Sequence, residues 1–455
     1  MNIAKEIEGK TYFVKTFGCQ MNLHDSERVA GLLESYGARS VEDPNLADIV
    51  VYMTCCVREN ADQKLYGQVS GMISALTAPS GKRVVCIGGC IAQRDGESIR
   101  EHMPNVDVVF GTQAIGRMPR LIAKAFVQKR NRLQVDTVED YSGFSTDLPS
   151  KRESPFHAWV PIMTGCNNFC TYCIVPYVRG REVSRTMEDI VAEVEGLVAD
   201  GVREVTLLGQ NVNSYGKNLY GEARFADLLR EVAKTGIDRI RFTSSNPHDL
   251  TDDIICAMAQ TNAVMPHLHL AVQSGSNRVL KAMNRKYTRE QYIEVARKLR
   301  DAMPGMALTT DIIVGFPGET EQDFQQTLDL VNEVKFASAF TFIYSPRPGT
   351  PAAKLEQNAS HEEIQDRFDR LVAAVQHNAQ DANDPELHSE VEVLVEGVSK
   401  KDEGILTGHS EKNVTVHFPI PEGMKAEDMI GRIATIYVEE AKTWYLRGIM
   451  KGDLH

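Results

Sequence analysis

Between residues 164 and 173 the chain reads TGCNNFCTYC, with thiols at Cys166, Cys170 and Cys173. Thiolates are soft ligands suited to iron and zinc. Three of them leave a metal site one ligand short, and sites with an open position do chemistry whereas closed ones are structural, as zinc shows. A [4Fe–4S] cluster normally takes four thiolates. Held by three, it keeps one iron free to chelate the amine and carboxylate of an amino acid. A zinc knuckle that recruits a distant fourth ligand is the competing reading. A second, dispersed set is Cys19, Cys55 and Cys90, each at or just beyond the end of an apolar run.

The elements around these residues decide whether they can meet. TYFVKTF (11–17), ADIVVYMT (47–54), KRVVCIGG (82–89) and VDVVFGT (106–112) read as strands. They alternate with helical stretches: DSERVAGLLESYG, capped by Asp25 or Ser26 and ended by Gly37; RENADQKLYGQVSGMISAL; a segment near 95–102; and RMPRLIAKAFVQ. Strict alternation predicts α/β architecture, a doubly wound parallel domain over 9–127. Ligand sites of open α/β sheets lie outside the carboxyl ends of the strands, so Cys19, Cys55 and Cys90 are expected on one edge. Cys56 is expected to point the other way, and Cys86, inside a strand, to be a small core residue.

Polar residues 128–151, with KRNR, VEDYS and STDLPSKRESP running on past them, read as a linker. AWVPIMT, EVTLLGQ, RIRFTSS, HLHLAV, ALTTDIIVG and ASAFTFIYS then supply six strands with helical stretches between them, a partial (βα)6 barrel over 152–383. Barrel chemistry sits at the C-terminal strand ends, and TGCNNFCTYC follows the first strand. Of His267 and His269, one is expected to face the interior as a hydrogen-bonded core histidine; Cys256, in DDIICAMAQ, reads as core. Five short strands from Glu390 onward predict a small OB-like antiparallel β-barrel over 386–450, with Lys400 and Lys401 on a loop.

Composition is consistent with this. The 455 residues are 42% hydrophobic and 25% charged, with nine cysteines and a net charge of −12. No signal peptide or apolar span of about 20 residues is seen, which predicts a cytoplasmic protein without a membrane. Reduced thiols there are ligands or catalytic groups rather than disulfides. The acidic balance disfavours a generally nucleic-acid-coated surface but permits a local basic groove.

The C-x3-C-x2-C spacing with Tyr172 before the last cysteine resembles the radical S-adenosyl-L-methionine (SAM) superfamily. That resemblance implies that the open iron holds SAM and that an electron cleaves it to a 5′-deoxyadenosyl radical. It implies contacts to SAM from Gly209, Gln210 and Asn211, where the acidic residue common in the superfamily is missing, and from Gln273 and Ser274 near the ribose. Asp311, with Gly315, Gly318 and Glu319, is a further strand-end candidate, although GFPG also reads as a turn before a capped helix.

The whole arrangement, with TFGCQMN (16–22), DSE (25–27), CNNFCTYCIVPYVRGREVSR (166–185), LLGQNVNSYG, QSGS and YSPRPGTPAA (344–353), resembles the methylthiotransferases, whose C-terminal barrel is a TRAM domain. Within them it is similar to the branch acting on N6-dimethylallyladenosine 37 of tRNA. The resemblance implies two [4Fe–4S] clusters with three cysteine ligands each: Cys166, Cys170 and Cys173 for the radical cluster, and Cys19, Cys55 and Cys90 for the auxiliary one. One SAM would methylate a sulfur on the auxiliary cluster, and the radical from a second would abstract the C2 hydrogen of adenine. The implied partners are the tRNA anticodon stem-loop and an electron donor such as flavodoxin or ferredoxin, the enzyme being a monomer. Arg179, Arg181 and Arg185 of VRGREVSR, with Lys400 and Lys401, are RNA-contact candidates; internal ion pairing is the alternative for the arginines. Competing functions are a sister enzyme acting on threonylcarbamoyl-adenosine in tRNA or on a ribosomal protein, a non-catalytic iron–sulfur RNA-binding protein, and a zinc-stapled RNA-binding module.

Overall fold

The computed structural model describes residues 2–56, 61–76, 81–128, 133–138, 148–452 and 454–455. KRNR, all but Val138 of VEDYS, and the start of RENADQKLYG lie outside the described residues. The chain divides into two compact units. The first holds residues 1–154 with 163–169 and 173–184; the second holds 155–162, 170–172 and 185–455. Among the described residues no helix is long and apolar enough to cross a membrane.

The first unit is built on a parallel sheet of β1 (Thr11–Thr16), β2 (Arg39–Ser40), β3 (Ile49–Thr54), β4 (Val84–Gly89), β5 (Val108–Phe110) and β6 (Gln134–Asp136), in the order β2-β1-β3-β4-β5-β6. Strand β3 is buried along its whole length because both faces are covered. Ile49, Val51 and Met53 enter one core with Leu33 and Ile122, while Val50 and Tyr52 enter another with Ile91 and Val178. Strand β6 lies within the expected linker: Gln134–Asp136 pair with β5 and extend the sheet. The end of that segment is also packed, since Lys151 N–H donates to Glu27 O at 2.9 Å and Pro149 O would lie 2.4 Å from any Cβ at Gly31.

The first helix after β1 begins at Gln20, with Cys19 as its N-cap, and runs to Ser35. Asp25 and Ser26, expected as caps, are therefore inside it. The helix does end at Gly37, which takes φ +84°. Its first turns are polar yet buried: Asn22, His24, Asp25, Ser26 and Glu27 are all at most 6% exposed. Burial raises the Glu27 carboxyl to about 7, although its Oε1 accepts the Glu153 N–H at 3.1 Å. A folded-state pKa above the unfolded value near 4.5 means that the unfolded chain ionises first. Stability is thus lost as pH rises from about 4.5 to 7. Glu27→Gln should unfold at higher denaturant than the wild type at pH 7.5, by about 2 kcal/mol, with the gap closing by pH 4.5. A pH-independent gap would contradict the assignment.

In the second unit β7 (His157–Pro161), β10 (Glu204–Leu208) and β11 (Arg239–Phe242) form one parallel sheet, and β12 (His267–His269), β13 (Ala307–Val314) and β14 (Ser338–Ile343) another. The parallel bridges Ile240–Val264 and Ser245–Leu270 join them. Six parallel strands in sequential order make the expected partial barrel. The intervening β8 (Met163–Thr164) and β9 (Val183–Ser184) form an antiparallel pair in the first unit. His267 and His269 share one side of β12, because alternate residues face alike; Leu268 between them is fully buried on the other. Both rings reach Thr309 Oγ1, at 3.4 and 3.1 Å, so both are hydrogen-bonded rather than one. Cys256 is exposed and not core: helix Asp252–Gln260 buries Ile254, Ile255, Ala257 and Met258, which turns Cys256 outward.

The C-terminal strands β15 (Glu390–Ser399), β16 (Asp402–Ser410), β17 (Thr415–Pro419), β18 (Ile433–Ala441) and β19 (Tyr445–Lys451) close a barrel in the order β15-β16-β17-β19-β18. All pairings are antiparallel except β17 with β19, which run parallel. The small barrel is fastened to β11. The fully buried Arg239 donates to His409 O and Glu392 O, both at 3.1 Å. Arg241 pairs with Glu204 at 2.9 Å and donates to Ser410 O and Glu411 O.

Candidate active site

Four of the first unit's cysteines gather at the carboxyl edge of its sheet. Cys19 follows β1, Cys55 and Cys56 follow β3, and Cys90 follows β4 and opens a short helix, Cys90–Asp95. Gly89, at φ +95°, makes that last turn; a Cβ there would stand 2.4 Å from Thr54 O. The Cys55 thiol hydrogen-bonds the Cys19 sulfur and, with the Arg179 charge and the Asn22 N–H, draws Cys19 down to about 6 against burial. Cys90 is likewise lowered, chiefly by a hydrogen bond from Cys56 and then by Arg179. Cys56 therefore does not point away: it packs beside Cys90, and that same bond raises its own pKa. Cys86 is fully buried in the core, as expected, and burial raises it.

Two residues of the buried polar face of helix Gln20–Ser35, Asn22 and Asp25, have a physical reason for their burial. Arg179 is turned inward and donates to Asn22 Oδ1 at 3.0 Å and Asp25 Oδ2 at 2.9 Å. Asn22 Nδ2 holds Thr54 O, beside Cys55, at 2.7 Å. Arg185 is also internal, paired with Glu193 at 2.5 Å and bonded to Pro161 O at 3.0 Å. Neither arginine offers its guanidinium to RNA, which corrects the expectation for both. Arg181 alone of the three is exposed, its guanidinium 4.2 Å above the Phe169 ring.

The three-cysteine stretch is shaped by backbone that few residues tolerate. Gly165 takes φ +79°, and a Cβ there would lie 2.0 Å from Arg181 O. Cys166 N–H donates to Gly180 O at 3.0 Å, and Asn167 N–H to Glu182 Oε1 at 3.1 Å. Phe169 is left-handed at φ 48° immediately before Cys170; Ser244 (φ 65°) and Gln273 (φ 68°) share that conformation at the ends of β11 and β12. Such strain concentrates at functional sites. Thr171 ties the stretch to the barrel's own turns: its N–H donates to Met283 O, its hydroxyl to Ala282 O, and its carbonyl accepts from Ala352 N–H in the YSPRPGTPAA run. Tyr172 packs with Met283, Phe316 and Tyr344.

The remaining candidates divide. Asn211 is buried and donates to Asp249 Oδ2 at 2.8 Å, and Lys217 pairs with the same carboxylate at 2.9 Å. An acidic side chain, Asp249 in the turn after β11, thus stands beside the Gly209–Asn211 stretch that itself lacks one. Gln273 bridges to β13 through Asp311 O and Ile313 N–H. Asp311 lies 3.4 Å from His269. Ser274 is fully buried with its hydroxyl engaged by Thr327 and the Ser276 N–H, so it is not presented to a ribose. The neighbouring Gly275 admits helix Glu321–Val334: a Cβ would meet Gln326 O at 2.5 Å. GFPGE is the turn before a capped helix, its Glu319 folded back onto the Gly315 N–H.

Arg285 was not anticipated. Its Nη1 stands 3.5 Å from Cys170 Sγ, with Nε on Tyr287 Oη and Nη2 on Ala271 O. The sequence holds no periodic signal for a contact across 115 residues.

These residues fit the implied cofactors. Asn211 Oδ1, Asn213 Nδ2, Ser245 Oγ and Tyr344 Oη are buried at strand ends with no hydrogen-bond partner among the described residues. Buried polar atoms are rarely left so, and a polar ligand at the barrel mouth would satisfy them. The thiol sets suit iron. Among the described residues no three Cys, His, Asp or Glu side chains converge on a single ion. A cluster puts a separate iron under each thiolate and does not require that convergence.

Comparison with known proteins defines the class. The Radical SAM superfamily matches residues 160–331, Uncharacterized protein family UPF0004 matches 11–111, and the TRAM domain matches 386–451. Among solved structures, the radical S-adenosylmethionine methyltransferase TsrM from Kitasatospora setae, with cobalamin and a [4Fe-4S] cluster bound, superposes with a TM-score of 0.56 at 14% identity, covering 76% of this chain and 77% of its own. The cobalamin-dependent S-adenosylmethionine radical enzyme OxsB follows at 0.52 and 13%, covering 82% of this chain and 57% of its own. Both show a shared fold alone. Curated relatives are far nearer in sequence. The tRNA-2-methylthio-N(6)-dimethylallyladenosine synthase of Acetivibrio thermocellus is 47% identical over 98% of this chain and 93% of its own. That of Streptomyces coelicolor is 48% identical over 96% and 86%. The chain belongs to the family of tRNA-2-methylthio-N(6)-dimethylallyladenosine synthases, radical SAM methylthiotransferases.

Proposed function

We propose that this chain converts N6-dimethylallyladenosine 37 of tRNA to its 2-methylthio derivative, using SAM and two [4Fe–4S] clusters. The observation that carries the reading is the presence of two separate thiol sets in one chain: one at the carboxyl edge of the first sheet around Arg179, the other in the C-x3-C-x2-C stretch. The bound cofactors supply a 5′-deoxyadenosyl radical able to take the unactivated C2 hydrogen of adenine, and a methylated sulfur to replace it. The protein's part is holding and orienting. Cys19, Cys55 and Cys90 would hold the auxiliary cluster, and Cys166, Cys170 and Cys173 the radical one. Asn211, Asn213, Ser245 and Tyr344 would receive the polar parts of SAM. The loop base at position 37 can be splayed out for such chemistry. Electrons would come from a flavodoxin- or ferredoxin-type donor to a cytoplasmic monomer. The segments 9–127, 152–383 and 386–450 would divide the work into auxiliary cluster, radical chemistry and RNA binding.

The test is an anaerobic reaction of the reconstituted chain with reductant, SAM and a prenylated anticodon stem-loop, followed by nucleoside mass analysis. A gain of one methylthio group with release of 5′-deoxyadenosine is expected. 5′-Deoxyadenosine without a modified nucleoside would reject this substrate.

RNA contacts are assigned to the exposed Arg181 and to Lys400 and Lys401, which form the turn between β15 and β16. In Lys400→Glu/Lys401→Glu, tRNA affinity should fall, and the slope of log affinity against log salt should flatten by roughly 2. Iron content and SAM cleavage should stay as in the wild type. An unaltered slope in a filter-binding titration would remove these lysines from the RNA face.

A further inference from the structure

The two thiol sets each have a buried or part-buried guanidinium, and the two guanidiniums differ in what surrounds them. Arg179, near Cys19 and Cys90, is neutralised by Asp25 at 2.9 Å. Arg285, at Cys170, has no carboxylate partner among the described residues. Its other contacts are neutral: Nε donates to Tyr287 Oη at 2.9 Å and Nη2 to Ala271 O at 2.6 Å. Tyr287 is itself fixed, its hydroxyl donating to Val272 O at 2.7 Å. The guanidinium is thus pinned to the turn after β12 by groups that carry no charge, and its remaining fork, Nη1, is aimed at a ligand sulfur 3.5 Å away.

We infer that Arg285 is a positioning residue that raises the reduction potential of the radical cluster by placing an uncompensated cation and a hydrogen-bond donor on Cys170. The inference rests on the proposed function, which puts a cluster on that sulfur. Reduction brings one electron from the external donor and adds one negative charge to the cluster. A fixed positive charge and a donor at a ligand sulfur stabilise that reduced form, because cluster potentials respond to hydrogen bonds at the sulfurs and to net charge. The Arg179–Asp25 pair gives the auxiliary site no such uncompensated charge, so the effect falls on one cluster of the two.

The experiment is potentiometric titration of the full chain carrying both clusters, followed by electron paramagnetic resonance, for wild type, Arg285→Lys and Arg285→Gln. The radical cluster is identified as the signal that changes on adding SAM. Arg285→Gln should move its midpoint to more negative potential, Arg285→Lys should move it less, and the other cluster's midpoint should stay where it is. Retained iron with an unmoved midpoint would overturn the inference, as would equal movement of both midpoints or loss of iron from both variants. An unmoved midpoint with weakened SAM binding would assign the guanidinium to SAM instead. No tRNA enters the titration, so a wild type whose SAM-responsive cluster titrates normally but fails to modify the stem-loop would reject the substrate and leave Arg285 to be judged by its own midpoint. A wild type with no SAM-responsive signal would overturn both.

Discussion

Replacing Cys166, Cys170 and Cys173 together with Ala should leave about half of the wild-type iron and abolish SAM cleavage, since on the proposed assignment these thiols would hold the cluster that binds SAM. The second proposed cluster should persist because its proposed ligands, Cys19, Cys55 and Cys90, are organised by the first unit's own sheet and helix. Cys86→Ala and Cys256→Ser are the controls: one thiol is sealed in the core and the other is exposed on helix Asp252–Gln260. Both variants should keep all of the iron. Iron and labile sulfide analysis on anaerobically purified protein, with chromatography for 5′-deoxyadenosine, reads both effects. Full iron in the triple variant would show that the stretch is not a ligand set.

Arg179→Met should have a large effect on both stability and iron content. It leaves the Asp25 carboxylate buried without its partner and frees the Asn22 Oδ1 that Arg179 engages. Breaking a buried pair from one side costs about 3–5 kcal/mol, because the surviving charge is stranded. The auxiliary set should suffer most, since the charge facing Cys19 and Cys90 is lost with it. Urea denaturation of the cluster-free protein measures the first effect and iron retention the second. Arg179→Met/Asp25→Asn should recover part of the stability, and the double-mutant cycle gives the coupling. Destabilisation below about 1 kcal/mol would mean that the pair is solvated.

Much of this could be read from residue patterns because the patterns have one cause. Strands such as Ile49–Thr54 are apolar throughout because both faces are buried, and their ends place Cys19, Cys55 and Cys90 by topology alone. What escaped had another cause. Asp25 and Ser26 look like caps, yet they sit inside a helix, where Asp25 is buried against Arg179 and Ser26 against Thr16. Cys56 follows the strand's end, where alternation no longer dictates direction. Cys256 lies among apolar neighbours but on the outer side of its helix. Gln134–Asp136 is too short and polar to read as a strand and gains its place by pairing with β5. Arg285 at Cys170 and Asp249 at Asn211 are contacts across 115 and 38 residues, which single-chain periodicity does not encode.

The attachment of the small C-terminal barrel to β11 has a mechanical consequence. Arg239 is fully buried with both terminal nitrogens on carbonyls of that barrel, and Arg241 adds two more. Four charge-assisted bonds from one strand leave little freedom for a swinging arm. A tRNA gripped at Lys400 and Lys401, as proposed, would therefore be held at a set distance from the strand ends of the larger barrel. On that proposal the pair of barrels would act as a ruler, choosing a nucleoside by its distance along the stem-loop as well as by its chemistry.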